Sequence, residues 1–225
     1  MLTRLIRFKL ILVALVFATA AKAQVPNFGT TVGDQKLYGY SALKYRSNVN
    51  AWETYSTLQY GVGKYFQFGA DLTTSANANY IGYIARGGYK FSDYFKLGAQ
   101  LTPSFDLSDN HKFSYLTSAV YMTGNLSKNG AWFYVTDTWL ENDKEHLTSA
   151  KQWTYIGHTF DLPGNGNSIT PMVGAIHSWK FDKDVDLAMG CYYSHKNINL
   201  YAWANDVLTK QPRFVVAVEF SFSNK

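Results

Sequence analysis

The sequence has few of the features that stabilise secreted domains or helical membrane proteins. It contains one cysteine, Cys191, among 225 residues, so the chain cannot form an internal disulfide. Charged residues make up 16% of the chain, below the ~25% that is usual in soluble domains. After residue 23, no apolar run approaches the roughly 20 residues that a membrane-spanning helix requires. These absences exclude a disulfide-stabilised scaffold and, beyond the N-terminal segment, a helical membrane protein.

The N-terminal segment is typical of a secretory signal peptide. Three basic residues within the first nine precede an apolar stretch at residues 10–21, and Ala21, Lys22 and Ala23 have the small-x-small form of a cleavage site. The apolar stretch is short for a spanning helix, and a retained membrane anchor is the alternative. We therefore expect residues 1–23 to be removed on export and residues 24–225 to form one domain.

Aromatic residues are abundant, at 17% of the chain, and many of them lie in alternating patterns. The final stretch, residues 212–222, is the clearest case, because large apolar side chains alternate with small or charged ones. The apolar set is Phe214, Val216, Val218, Phe220 and Phe222, against Arg213, Val215, Ala217, Glu219 and Ser221. Successive side chains on a strand point to opposite faces, and about ten residues suffice for a tilted strand to cross a bilayer. The stretch therefore predicts an amphipathic spanning strand.

Strand-like runs recur between residues 37 and 222. The alternation is clear in several of them, whereas the phase of 37–46, 112–122 and 131–140 is unclear. Twelve runs of about 11 residues fit the length, and even numbers are usual in bacterial barrels. The predicted runs are 37–46, 52–62, 65–74, 80–89, 95–103, 112–122, 131–140, 152–160, 168–180, 185–194, 198–203 and 213–222.

Short, turn-like connectors alternate with longer and more polar ones. The short set includes 61–64, 90–93, 162–167 and 194–197, and the long set includes 105–111, 141–150 and 204–211. In an up-and-down meander, alternate connectors lie at opposite ends of the sheet. We therefore expect short turns at one end and longer loops at the other.

The aromatic-ended amphipathic strand near the C-terminus resembles the closing strand of Gram-negative outer-membrane β-barrels, including small porin-like proteins. The resemblance implies an all-β fold, a transmembrane antiparallel up-and-down β-barrel of about 12 strands formed by residues 24–225. It also implies the outer membrane as location, with outer-membrane lipid and the barrel-assembly machinery as partners. A soluble secreted β-sandwich is the alternative, and it would lack the predicted lipid-facing band of Phe66, Phe68, Leu97, Leu101, Val216, Val218 and Phe220.

Seven charged residues occupy the small or polar phase of the runs and are candidates to line the lumen: Glu53, Asp71, Arg86, Lys96, Asp186, Arg213 and Glu219. Ionisable groups at membrane depth need partners or water. These seven residues form either an internal salt-bridge network that stabilises the barrel or the lining of a narrow polar channel that selects solutes. Tyr55, Tyr192 and Trp203 are further candidates to reach the lumen, where aromatic rings can stack on sugars.

Catalytic and metal-binding signals are weak. Two pairs, His177-Ser178 and Ser194-His195, join neighbours that would point to opposite faces of a strand. The five histidines lack metal-ligand spacing, and the polar cluster at residues 106–111 is typical of a solvated loop. The sequence also lacks a stripe of Arg and Lys with interleaved aromatic residues, which is the pattern typical of nucleic-acid binding. We therefore predict no catalytic residue, metal, cofactor or nucleic-acid partner.

These observations favour a porin-like barrel that passes or recognises small hydrophilic solutes without chemical catalysis. One alternative is a closed structural or adhesive barrel that binds partners through its outer loops. An outer-membrane barrel hydrolase is the third hypothesis.

Overall fold

The described residues form β-strands joined by short connectors. The computed structural model describes residues 30–47, 50–76, 78–163, 166–179, 185–209 and 212–223. The predicted signal peptide, residues 1–23, lies outside this part of the chain and stays a prediction. Within the described ranges, no helix is long and apolar enough to span a membrane. The strands are β1 (Lys36–Arg46), β2 (Ala51–Val62), β3 (Phe66–Ser75), β4 (Asn79–Lys90), β5 (Lys96–Asp106), β6 (Lys112–Asn125), β7 (Trp132–Asn142), β8 (Leu147–His158), β9 (Phe160–Asp161), β10 (Asn167–Ser178), β11 (Val185–His195), β12 (Ile198–Asn205) and β13 (Arg213–Ser223).

The sheet closes on itself. Strands that follow one another along the chain pair antiparallel, and β13 returns to pair with β1 from Lys36 opposite Ser223 to Arg46 opposite Arg213. The two-residue β9 follows β8 after Thr159, and both pair with β10, so they form one interrupted strand of the barrel. The result is a closed, all-β, up-and-down barrel of twelve strands, and the predicted fold class is confirmed.

Connectors at the two ends of the barrel differ less in length than the sequence predicts. We call the end with the start of β1 and the end of β13 the terminal end, and the opposite one the distal end. The predicted distal loop 141–150 is wrong in extent, because β7 continues to Asn142 and β8 begins at Leu147. Glu141 and Ser149 are ladder partners there. Polar residues at this end thus belong to the strands, and Glu141 is among those that line the barrel interior.

The outer face of the barrel is apolar. Phe66, Phe68, Leu101 and Val216 are each more than half exposed, which reverses the usual arrangement of a soluble domain. Alternate residues of the same strands are buried or polar, as Gln67, Gln100 and Glu219 are. Alternation of apolar outward and polar inward side chains is the pattern of a transmembrane barrel. The predicted apolar phase therefore faces outward, and its contact with outer-membrane lipid stays a prediction.

The seam between the first and last strands depends on one glycine. Gly39 of β1 lies opposite Phe220 of β13, and a Cβ atom at Gly39 would stand 2.0 Å from Phe220 Cζ. The absence of a side chain thus lets the Phe220 ring lie flat over the β1 backbone. An aromatic ring that covers a glycine in the neighbouring strand fixes the register of the pair.

We expect Val218→Arg to destabilise the barrel by about 2–4 kcal/mol, since Val218 lies midway along β13 on the outward phase. The measurement is urea unfolding of the protein refolded into phospholipid vesicles. Val215→Arg is the matched control, because Val215 lies on the same strand but lines the internal cavity. Equal stability of the two variants would contradict a lipid-facing outer surface.

Candidate functional site: the barrel interior

A cavity of about 610 Å³ occupies the barrel interior. It extends from Val32, Gln59 and Gln67 towards the terminal end to Arg46 and Glu141 at the distal end. Its wall is built by the inward phase of the strands, because alternate residues of each strand share that face. The cavity is therefore a property of the whole barrel, with no single loop or strand responsible for it.

Aromatic rings form much of the cavity wall. Tyr40 of β1 stacks with Tyr201 of β12 at 5.6 Å between ring centroids, and Tyr192 of β11 contacts Tyr201 at 4.6 Å. Tyr155 of β8 and Trp203 of β12 are 4.7 Å apart although β10 and β11 lie between their strands. The twelve aromatic residues of the lining are Tyr38, Tyr40, Tyr55, Tyr80, Tyr115, Tyr121, Trp139, Trp153, Tyr155, Tyr192, Tyr201 and Trp203.

Some of these rings belong to a packed apolar cluster on one side of the interior. Phe133, Val135, Met172 and Tyr192 are its buried members, and the rings of three lining residues pack against them: Tyr155, Tyr201 and Trp203. Interiors of small barrels are commonly filled by side chains in this way. The cluster fills part of the interior beside β7, β10 and β11, which carry its buried members.

The Arg86 side chain lines the cavity. The Arg86 guanidinium carbon lies 4.0 Å from the centroid of the Tyr121 ring, which is a cation–π contact. Arg86 also interacts electrostatically with the buried carboxylate of Asp137 on β7. Tyr121 Oη in turn donates to Gln100 Oε1 at 3.1 Å, which fixes the ring. The group ties β4, β5, β6 and β7 together across the inner wall.

The carboxylate of Asp71 lines the cavity. Tyr55 Oη donates to Asp71 Oδ2 at 3.2 Å, and a Cβ atom at Gly82 would stand 2.4 Å from Asp71 Oδ1. Glycine at position 82 therefore leaves the room that the Asp71 side chain occupies. Asp71 is held in place, and it contributes a negative charge to the cavity lining.

The distal mouth carries a paired cluster of charges. Glu53 accepts hydrogen bonds from Lys44 Nζ at 3.0 Å and from Arg46 Nη2 at 2.8 Å. Both cations come from β1 and the carboxylate comes from β2, so the cluster joins the first hairpin. The single carboxylate balances one of the two positive charges in this cluster.

The structure places the seven charged candidates in two groups. Four of them line the cavity, namely Glu53, Asp71, Arg86 and Glu219, and the three aromatic candidates Tyr55, Tyr192 and Trp203 line it as well. Lys96, Asp186 and Arg213 do not border it. Asp186 Oδ1 accepts the backbone N–H groups of Leu187 and Leu208, and Arg213 pairs with Asp206 beside the distal connector. Those two side chains hold distal backbone, and Lys96 lies near the terminal end of β5.

Other lining charges escaped the sequence reasoning. Asp137 and Glu141 of β7 line the cavity, as do Lys44 and Arg46 of β1. The phase of these two strands could not be read because large side chains lie on both faces, as Trp132 and Trp139 do in β7. The possible pairing of Lys44 and Arg46 with Glu53 across the β1–β2 hairpin was the sequence signal that could have placed both cations on the inward face.

The candidate loop at residues 106–111 has the geometry of a turn. Asp106 Oδ1 accepts the Ser108 backbone N–H at 2.7 Å, and Lys112 Nζ donates to Asp109 at 2.9 Å. Within the described part of the chain, no three His, Cys, Asp or Glu side chains converge as metal ligands would. His158 packs against the Trp132 ring at 4.6 Å.

Comparisons with known proteins agree with the barrel fold. No protein-family model matches the chain, and no curated protein sequence matches it. Among solved structures, a KdgM porin superposes with a TM-score of 0.63 at 13% sequence identity, covering 82% of this chain and 99% of the porin. A KdgM porin in complex with disordered oligogalacturonate matches with a TM-score of 0.63 at 14% identity over 82% and 99% of the two chains. The predicted porin-like barrel is therefore confirmed at the level of fold.

We expect Arg86→Leu to destabilise the protein by about 1–3 kcal/mol, because it leaves the buried Asp137 carboxylate without its cation. Combining it with Asp137→Asn should recover part of the loss, since the uncompensated charge is then gone. A double-mutant cycle on urea unfolding in vesicles measures this coupling. Strictly additive effects of the two changes would mean that Arg86 and Asp137 do not interact.

Proposed function

We propose that this protein is an outer-membrane channel for passive passage of small hydrophilic solutes. One observation carries the proposal, an interior cavity of about 610 Å³ lined by polar and aromatic side chains within a closed barrel whose outer face is apolar. The cavity volume corresponds to about 20 water molecules at ~30 Å³ each. Such a space suits a single small solute and excludes a folded protein.

The balance of lining charges favours neutral or weakly cationic solutes over polyanions. The lining holds five acidic side chains and three basic ones: Glu53, Asp71, Asp137, Glu141 and Glu219 against Lys44, Arg46 and Arg86. Glu53 forms salt bridges with Lys44 and Arg46, and Asp137 interacts with Arg86. A KdgM porin was solved with oligogalacturonate, an acidic sugar chain. This lining offers no ladder of free cations along which such a chain would be guided.

A second candidate function is a closed barrel that acts through its distal connectors. The specific observation in its favour is the packed aromatic cluster, which fills one side of the interior. Neither candidate requires a catalytic step.

The two candidates are separated by planar-bilayer recordings on residues 24–225, refolded and inserted. Stable unitary currents are expected for a channel. The same recording on a variant that lacks residues 24–35 is the companion measurement, because the deletion removes Val32, which lines the cavity. Silence of both folded proteins would refute the channel and leave the closed barrel.

We expect Asp71→Asn to lower the preference for cations by a factor of about 2–5, since one charge beside the path is worth up to ~1 kcal/mol in wet surroundings. The readout is the reversal potential across a KCl gradient. Asp109→Asn is the control, because Asp109 lies in a distal connector beside Lys112, outside the cavity lining. A reversal potential that Asp71→Asn leaves unchanged would place Asp71 off the ion path.

A further inference from the structure

The segment before β1 turns into the barrel at the terminal end. We call residues 30–35 the strap. Thr31 and Val32 are only 7% and 5% exposed, unlike the residues of an ordinary lead-in at a chain terminus. Gly33 and Gln35 have φ angles of 94° and 54°, and these left-handed conformations fold the strap back across the barrel mouth.

Hydrogen bonds to backbone atoms of the rim fix the strap in place. Gln35 N donates to Gly61 O at 3.0 Å, and Gly63 N donates to the Asp34 side chain at 2.8 Å. Thr31 Oγ1 donates to Lys64 O at 3.0 Å. All three rim partners lie at the β2–β3 turn, so the strap is anchored on one hairpin.

A chain of glutamines fixes the strap inside the lumen. Val32 N donates to Gln67 Oε1 at 2.7 Å, and the Gln67 amide donates to Gln59. Gln59 Nε2 then donates to Thr57 Oγ1 at 3.1 Å. Gln67 is 2% exposed, so its amide is committed to the strap and to its neighbour on β2.

The barrel wall lacks side chains where the strap crosses it. A Cβ atom at Gly61 would stand 1.7 Å from Gly33 O, and one at Gly88 would stand 2.8 Å from Thr30 Cα. Both glycines lie on the inward phase, of β2 and β4. Any side chain there would displace the strap, because the opposing atoms are backbone.

The strap also forms the end of the cavity. Val32 lines it together with Gln59 and Gln67, so solute that enters from the distal end meets the strap before the terminal end. The strap contributes one buried apolar side chain, and its remaining described attachments are hydrogen bonds, which water can replace. We propose that the strap is a movable floor, which closes the terminal end when seated and opens the pore when released. This inference rests on the proposed channel function.

A reversible crosslink tests whether the floor must move. Thr31→Cys and Lys64→Cys are introduced together in a Cys191→Ser background, since Thr31 Oγ1 reaches the Lys64 carbonyl. Mass spectrometry verifies the disulfide, and Thr31→Cys alone is the control. We expect the oxidised protein to pass little current and reduction to restore openings of at least double its conductance. Equal conductance before and after reduction would overturn the movable floor.

A pair of glycine substitutions tests the same idea without altering the strap. Gly88→Ala places a methyl group against the strap backbone, and we expect it to at least double the open probability. Gly87→Ala is the matched control, because it faces outward and its new atom meets Phe66 at an ordinary 3.6 Å. Heat-shifted mobility on gels verifies folding of both.

The outcomes separate the two proposals. If the deletion of residues 24–35, Gly88→Ala and the reduced cysteine pair are all folded and silent, the channel itself fails. If all conduct like the unmodified protein, the channel stands and the strap is a fixed lining without a gating role.

Discussion

The structure depends on the requirement that every backbone N–H and C=O group be paired where no water is available. A hydrocarbon layer offers no partners, so a sheet that spans it has to close. Pairing of β1 with β13 meets this requirement, because it leaves neither strand with an open edge. Twelve strands then set the diameter, and the inward phase holds polar side chains such as Gln67, Gln100 and Glu219. The polar cavity is thus a consequence of closure.

Much of the fold could be predicted from the sequence because a period of two is a strong signal when one face meets lipid. In β3, Phe66 and Phe68 against Gln67 gave both the strand and its faces. The signal failed in β7, where Trp132 and Trp139 lie on opposite faces and concealed the inward Asp137. It failed also at residues 147–151, whose polarity resembles a loop although the strand continues.

Candidate site residues were harder to predict than strands. The alternation pattern predicts the face of the sheet on which a side chain lies, but it does not predict the residues that the side chain contacts. Asp186 lies on the inward phase as expected, yet its carboxylate accepts hydrogen bonds from two backbone N–H groups at the distal end. The strap was not predictable at all, since its signal is the absence of side chains at Gly61 and Gly88 on separate strands. The reason for glycine at these two positions is evident only from the structure, which shows the strap packed against them.

The seam at Gly39 and Phe220 bears on how the molecule is made. Its two strands lie at opposite ends of the described chain, so their contact is the most distant in sequence that the sheet contains. Contacts of this separation form slowly, and until they form, β1 and β13 each present a bare hydrogen-bonding edge. The Phe220 ring fits over β1 because Gly39 has no side chain, and this contact favours β1 over other strand edges as the partner of β13. We therefore expect the pairing of β1 with β13 to form last, and both strands to remain open to pairing with other chains until it does.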